Sequence, residues 1–296
     1  MTNSSVSVMS SSTQQGLPGK FWVNLNPWII LCSIHKNRGL LKQFVIRIFN
    51  ERHKGSLLGV VWAVLLPIMM MGLYTLVFGF IFGSSYNVIQ HESKVDYGLG
   101  IFLSLTIFGM VSESFAISPM TILSNPNLVR KVVFPLEILP LANFGASFLN
   151  FLISVLLFLF GQTYLGSGLS IDALWLPLII FPIVLLSLGI YWIFSALGVF
   201  LRDLNQFMIF LTQALLYCSA IFYSTTKIHG TRLEFLLPFL RLNPIVDAVE
   251  LSRDVMLWHI PMHLSDLTYM YGVGSVVFCI GYAFFMLLKP AFSDVI

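Results

Sequence analysis

Hydrophobic positions in this chain run in blocks far longer than a soluble helix needs. Apolar runs near residues 57–82, 99–123, 138–163, 173–200, 205–226 and 267–288 each reach the roughly 20 residues that cross a bilayer as a helix. They predict six transmembrane helices. Ahead of them, Leu40, Leu41, Phe44, Val45, Ile48 and Phe49 recur at helical spacing, while Lys42, Gln43, Arg47, Asn50, Glu51 and Lys54 take the opposite side. That pattern predicts an amphipathic helix over 40–54, lying in the membrane plane with its basic side outward. The stretch Phe21–Ile34 is apolar but short and broken by Asn24, Asn26 and Pro27, so it is expected to rest in the interface.

Two polar interruptions carry more information than the spans. NPNLVRKVVFPLEILP, Asn125 to Pro140, places Arg130, Lys131 and Glu137 between apolar runs and is bounded by Pro126 and Pro140. A short amphipathic helix with a proline stop is expected there, a charged and rigid surface for another molecule to push on. In the long loop 227–266, Asn243-Pro244 supplies an N-cap followed by proline at the first helical position. Apolar Ile245, Val249, Val255 and Met256 then alternate with Asp247, Glu250, Arg253 and Asp254. Two short helices re-entering the outer leaflet are expected in this loop.

Composition agrees with an all-α integral membrane protein. Hydrophobic residues make up 57% and charged residues 10%, with a mean hydropathy of +0.87; a soluble domain carries about 25% charged residues. The net charge of +3 matters less than its distribution. With six spans, eleven of the sixteen Lys and Arg residues fall on the side of both termini, which makes that side cytoplasmic. The first twenty residues are rich in Ser, Thr and Gln, with no apolar core for a cleaved signal peptide. Residues 1–36 are therefore expected as a disordered tail plus interfacial segment, and 37–296 as a single transmembrane domain.

Candidate chemistry is sparse. Cys32, Cys218 and Cys279 have neither pair nor metal spacing and are read as small core residues. No catalytic, metal or nucleic-acid motif is expected. Glu113 sits inside the second span, where a charge is costly and marks a structural or pore-lining role. Asn143, Ser147, Asn150 and Ser154 form a polar stripe down the third span, expected to join helices. Tyr74, Phe78 and Phe82 share a face of the first span, and Gln206, Phe210, Gln213 and Tyr217 one of the fifth. Rings and amides of that kind suit the C–H faces and hydroxyls of sugars, so Tyr74, Phe78, Phe210, Gln213 and Tyr217, with Tyr223 beyond them, are the candidate channel lining.

In order and spacing, Glu51–Pro67, Asn125–Pro140, LGVFLRDLNQF (Leu197–Phe207), RLNPIVDAVELSRD (Arg241–Asp254) and LKPAFSDVI (Leu288–Ile296) resemble the permease subunit of bacterial ABC exporters for lipid-linked polysaccharides, the O-antigen and capsule type. The resemblance covers about residue 38 to 296. It implies a homodimer in the inner membrane, bound to two separate ATP-binding subunits that carry the ATP and Mg, and an undecaprenyl-diphosphate-linked polysaccharide as cargo. It implies ATPase coupling at Asn127, Arg130, Lys131, Phe134, Pro135 and Glu137, and a substrate entrance at Arg47, Arg52, Lys54, Leu58 and Gly59. Asn243, Pro244, Glu250 and Arg253 fall at the outer gate. The family's fifth span commonly ends in Ser-Pro-Ile-x-Tyr; here Ser219–Tyr223 lacks the proline, so the sequence itself supplies no kink.

The chain holds no G-x-x-x-x-G-K-[ST] loop to cradle a nucleotide, which places the motor elsewhere. Rival readings are a permease for teichoic acid, drug or lipid, and a polyprenyl-linked sugar transferase. The transferase needs clustered acidic or His/Asp groups at the membrane surface. Glu51, Glu137, Asp203 and Asp294 are scattered.

Overall fold

The computed structural model describes residues 32, 34–83, 85–86, 88, 93–130, 134–228, 230–232, 234–262 and 264–296. All but a few of the residues of the tail expected over 1–36 lie outside them. In chain order the α-helices are α1 (Arg38–His53), α2 (Trp62–Tyr74), α3 (Lys94–Thr121), α4 (Pro126–Val129), α5 (Ile138–Tyr164), α6 (Leu176–Phe200), α7 (Leu204–Tyr217), α8 (Leu237–Arg241), α9 (Pro244–Leu257), α10 (Leu264–Leu288) and α11 (Phe292–Val295). There is no strand among the described residues.

The amphipathic pattern of α1 is realised residue by residue. Leu40, Leu41, Phe44, Val45, Ile48 and Phe49 are half-buried, and Lys42, Gln43, Arg47, Asn50 and Glu51 are exposed. The buried side lies on α5, where Gly145 lets Val45 come so close that a Cβ would sit 2.6 Å from its methyl group.

Five helical stretches among the described residues are long and apolar enough to cross a membrane: Gly59–Ile81, Lys94–Thr121, Ile138–Tyr164, Ile171–Phe200 and Leu264–Val295. This corrects the expectation of six full helices. The run 205–226 is helical only as α7, whose 14 residues reach about 21 Å against a hydrocarbon core of about 30 Å. The chain then leaves the helix at Cys218 and passes through Ala220 at φ 51°. The break forms without the proline that the resemblance made its natural cause.

The segment 125–140 also differs from expectation. It is not one helix stopped by Pro140. Pro126 opens a single turn, α4, and the chain is irregular again at Phe134 and Pro135. Pro140 lies in the first turn of α5, where amide hydrogens have no intrahelical acceptor and a proline removes nothing. Lys131 lies outside the described residues. The segment 227–266 contains two short helices, α8 and α9.

The bundle is organised around α3, which packs against the first, third and fourth spans and against α7 and α9. The largest helix pair is α6 with α10. Trp192 sits edge-on to Phe278 and Tyr282 at ring distances of 5.3 and 5.1 Å. Two glycines make this crossing close: a Cβ on Gly281 would lie 2.4 Å from the Gly189 carbonyl oxygen. In lipid, where tails are as apolar as the helices, such close backbone approach is what holds spans together. Gly281→Val is expected to force the pair apart and destabilise the fold by about 1–3 kcal/mol. Thermal unfolding of the detergent-solubilised protein would read this directly, and an unchanged midpoint contradicts the crossing.

Candidate functional site

The break after α7 is held by side chains from elsewhere. Asn243 caps α9, its Oδ1 accepting from Ile245 N at 3.1 Å, and its Nδ2 donates to Cys218 O at 3.2 Å. Arg253, one turn from the other end of α9, is fully buried. Its guanidinium donates to Ala220 O at 2.8 Å, Ile221 O at 3.2 Å and Tyr223 O at 3.4 Å. Tyr86 and Tyr97 donate to Ile221 O and Phe222 O at 2.8 and 3.0 Å. Five of the six residues from Cys218 to Tyr223, all but Ser219, thus have their carbonyls bonded by these side chains.

Charge is balanced in the same place. Glu250 lies 3.7 Å from Arg253 and accepts from Thr225 N at 2.7 Å, Thr225 Oγ1 at 2.8 Å and Ser224 Oγ at 3.2 Å. The Arg253 guanidinium also covers the Tyr86 ring at 4.1 Å, a cation–π contact. The candidate outer-gate set Asn243, Pro244, Glu250 and Arg253 is therefore one assembly. It clamps non-helical backbone rather than presenting a free charged surface. Sequence reading missed Tyr86 and Tyr97, because nothing local marks a tyrosine as a partner for a carbonyl over a hundred residues away.

Asp247 and Asp254 share one side of α9 with Glu250 and line, with Asp266 and Arg241, a cavity of about 390 Å³. Burial pushes both carboxyls up to about 6, and Glu250 adds to the rise; Arg241 opposes it at Asp247 and Arg253 at Asp254.

At the other end of the bundle the candidate entrance residues divide. Arg47 pairs with Glu51 at 2.8 Å on the exposed side of α1. Arg47, Lys54 and Gly59 line a shallow cavity of about 490 Å³ at the turn from α1 into the first span, with Gly59 at φ 51°. Leu58 is exposed beside it but outside the lining. Arg52 points the other way. It binds Glu113 of α3 at 2.9 Å and Ser147 Oγ of α5 at 3.1 Å, and Ser147 also donates to Glu113. This accounts for the charge inside the second span: its partner comes from α1. The Asn143–Ser154 stripe does less helix-joining than expected; Ser147 takes part, while Asn143 bonds only its own helix at Leu139 O.

Of the candidate coupling residues, Asn127 and Arg130 are exposed on and just after α4. Arg130 donates to Ile296 O at 3.1 Å. Phe134 meets Phe44 of α1 at a ring distance of 5.6 Å, with Pro135 beside it. Glu137 is taken by Lys289 at 2.6 Å, and its carbonyl accepts from Trp192 Nε1. Loop, interface helix and C-terminal segment are thus one connected block.

The candidate channel stripe is exposed as a unit: Phe210, Gln213 and Tyr217 all face away from the chain's own core. Tyr223 donates to Tyr217 O at 3.0 Å. Tyr74 and Phe78 are half-buried, and Phe78 meets Phe222 at 5.4 Å, so within one chain this face opposes the segment after the stripe.

Residues 40–257 match the ABC-2 type transporter family, nearly three-quarters of the chain and all of the clamp. The chain belongs to the ABC-2 type transporter membrane family. Among similar proteins of known name, an O-antigen export system permease protein RfbA of Klebsiella pneumoniae is 26% identical over 270 residues, covering 88% of this chain and 97% of that protein. A second from the same species is 24% identical over 265 residues, with the same coverage. The protein of that name from Myxococcus xanthus is 25% identical over 228 residues, covering 77% and 84%.

In this ABC-2 type protein the clamp predicts two measurable effects. Arg253→Met keeps bulk but leaves the Ala220 and Tyr223 carbonyls without this donor and Ile221 with Tyr86 alone, and should destabilise the fold by about 3 kcal/mol or more. Loss of thermal stability and protease cleavage within 218–225 are the expected readouts; wild-type resistance contradicts the clamp. The acidic side of α9 sets a pH dependence. Its raised carboxyls bind protons more tightly in the folded state than in the unfolded chain, where they titrate at 3.8. Stability contributed by these groups therefore falls as pH rises from about 4 to about 6. Asp254→Asn should raise thermal stability at pH 7 and flatten that decline; an unchanged slope assigns it to other groups.

Proposed function

We propose that the chain is the permease subunit of an ATP-driven exporter carrying a lipid-linked polysaccharide, of the O-antigen or capsule type, across the bacterial inner membrane. Two copies form the channel, and ATP with Mg is bound and hydrolysed on two partner subunits. The observation that carries this reading is the outward face of α7, where Gln213 lies exposed between Phe210 and Tyr217 with no hydrogen bond among the described residues. An amide facing hydrocarbon costs several kcal/mol; facing a sugar chain it is satisfied. Rings beside it give contacts that are weak, numerous and tolerant of sequence along a moving polymer. The family match and the names of the relatives support the same reading.

The sixth crossing in this proposal is α7 followed by the clamped stretch to Ile228. Irregular backbone is tolerated at membrane depth only where protein surrounds it, and the Arg253 clamp supplies that surrounding. With six crossings both termini are cytoplasmic, as are α1 and α4. A second copy covers what one chain leaves bare: only 6% of the apolar window of the first span is buried within the chain. Asn127 and Arg130 on the exposed turn then face the ATPase, while Arg47, Lys54 and Gly59 receive the diphosphate end of the cargo.

Transport itself is tested by ATP-dependent movement of an undecaprenyl-diphosphate-linked polysaccharide in proteoliposomes holding both subunits. Arg130→Glu should release the ATPase or separate hydrolysis from export; normal copurification and export refute the coupling role. Cysteines at 213 and 217 should react with water-soluble thiol reagents from the pore. Labelling by lipid-soluble reagents alone places the stripe against lipid.

A further inference from the structure

The central helix α3 is enclosed along most of its length, yet it leaves a void at Gly109. A Cβ built there meets no heavy atom within 4 Å. The space is a cavity of about 270 Å³ between the first span, α3 and α5. Met70, Phe102, Leu105 and Phe151 make its wall apolar, and Glu113, Asn150 and Ser154 also line it. Glu113 uses Oε2 for both Arg52 and Ser147. Its Oε1, the Asn150 amide and the Ser154 hydroxyl have no hydrogen bond among the described residues. Groups of this kind are costly at membrane depth unless something binds them.

Their chemistry selects the occupant. The Arg52–Glu113 pair is neutral overall, so it attracts no net charge, but Glu113 Oε1 asks for a donor. Asn150 can donate as well as accept. Along the groove from the end nearest α1 come the Glu113 carboxylate, then the Asn150 amide beside Phe151, then Leu105 and Phe102 with the Ser154 and Thr106 hydroxyls among them. That is the order of a donor-bearing head group, ester carbonyls and an acyl chain. We propose that this groove is a binding site for a phospholipid of the leaflet bordering α1, whose head group carries N–H or O–H donors. The ammonium of an ethanolamine or a hydroxyl of a glycerol meets Glu113, Asn150 donates to an ester carbonyl, and one chain lies along Phe102, Leu105 and Phe151. The site is separate from the exposed α7 face and does not depend on the cargo proposed above.

The test is native mass spectrometry of the full chain, purified with its partner subunit where the two stay together. Phosphatidylethanolamine, phosphatidylglycerol and phosphatidylcholine with identical acyl chains are added in turn. The first two should be retained about fivefold more tightly than the third, whose quaternary ammonium has no donor; fivefold corresponds to about 1 kcal/mol. This comparison needs no variant. A preference for only one of the first two identifies which donor the site takes. Gly109→Phe, which fills the void, should remove the retained lipid, and Asn150→Leu should weaken it without filling the groove. Equal retention of phosphatidylcholine overturns the proposal, because the groove then holds chains without reading head groups. Unchanged lipid binding in Gly109→Phe overturns it too, as does a change in oligomeric state with lipid retained, which gives the groove to a second copy.

Discussion

The constraint on which this structure depends is that non-helical backbone within a membrane protein must find its hydrogen bonds inside the protein. Between Cys218 and Tyr223 the chain has abandoned the helical ladder, and Arg253 is the group that makes this tolerable. A guanidinium offers five donors in a fixed plane, enough to serve three carbonyls at once. Its burial is offset by Glu250, by those carbonyl dipoles and by the face of Tyr86. Without such a group the apolar run 205–226 has every reason to continue as a helix. The clamp leaves α7 a short helix followed by a bent, non-helical segment.

The same logic governs the opposite end of the bundle. Glu113 would be a liability alone within the second span; bound to Arg52 it fastens the interface helix to α3 and α5. Lys289 and Glu137 join the last span to the start of the third, and Phe134 seats the connecting loop on α1. Each ion pair links elements far apart in sequence. Contacts across the fold therefore tie Arg130 to the C-terminus, Phe134 to α1 and Glu137 to the last span. The ion pairs among them are short and charge-assisted, the stronger kind of hydrogen bond.

Between these two fastened ends lies a face left bare. The first span and α7 carry most of their apolar and aromatic surface outward, while α3, α6 and α10 are packed closely enough for glycine to touch backbone. Stability and function are thus divided among the helices. Those that build the core have small residues at their crossings. Those that offer surface carry exposed rings and amides, as Phe210, Gln213 and Tyr217 do on α7.

The sequence by itself determined the helical membrane class, the periodicity of α1, the position of five long spans within a few residues and the cap at Asn243. Each follows from local chemistry, whether run length against bilayer thickness, the 3.6-residue repeat or an Asn-Pro start. It also marked Glu113 as a charge in need of a partner and grouped Phe210, Gln213 and Tyr217 on one face. Tertiary structure decided the rest. It chose Arg52 over every other cation for Glu113, reduced the expected helix of 125–140 to a single turn, and ended α7 where no proline stands. The end of α7 depends on donors arriving from 25 to 135 residues away and the Glu113 pair on one 61 residues away, and hydropathy along the chain carries no record of which side chains meet across it.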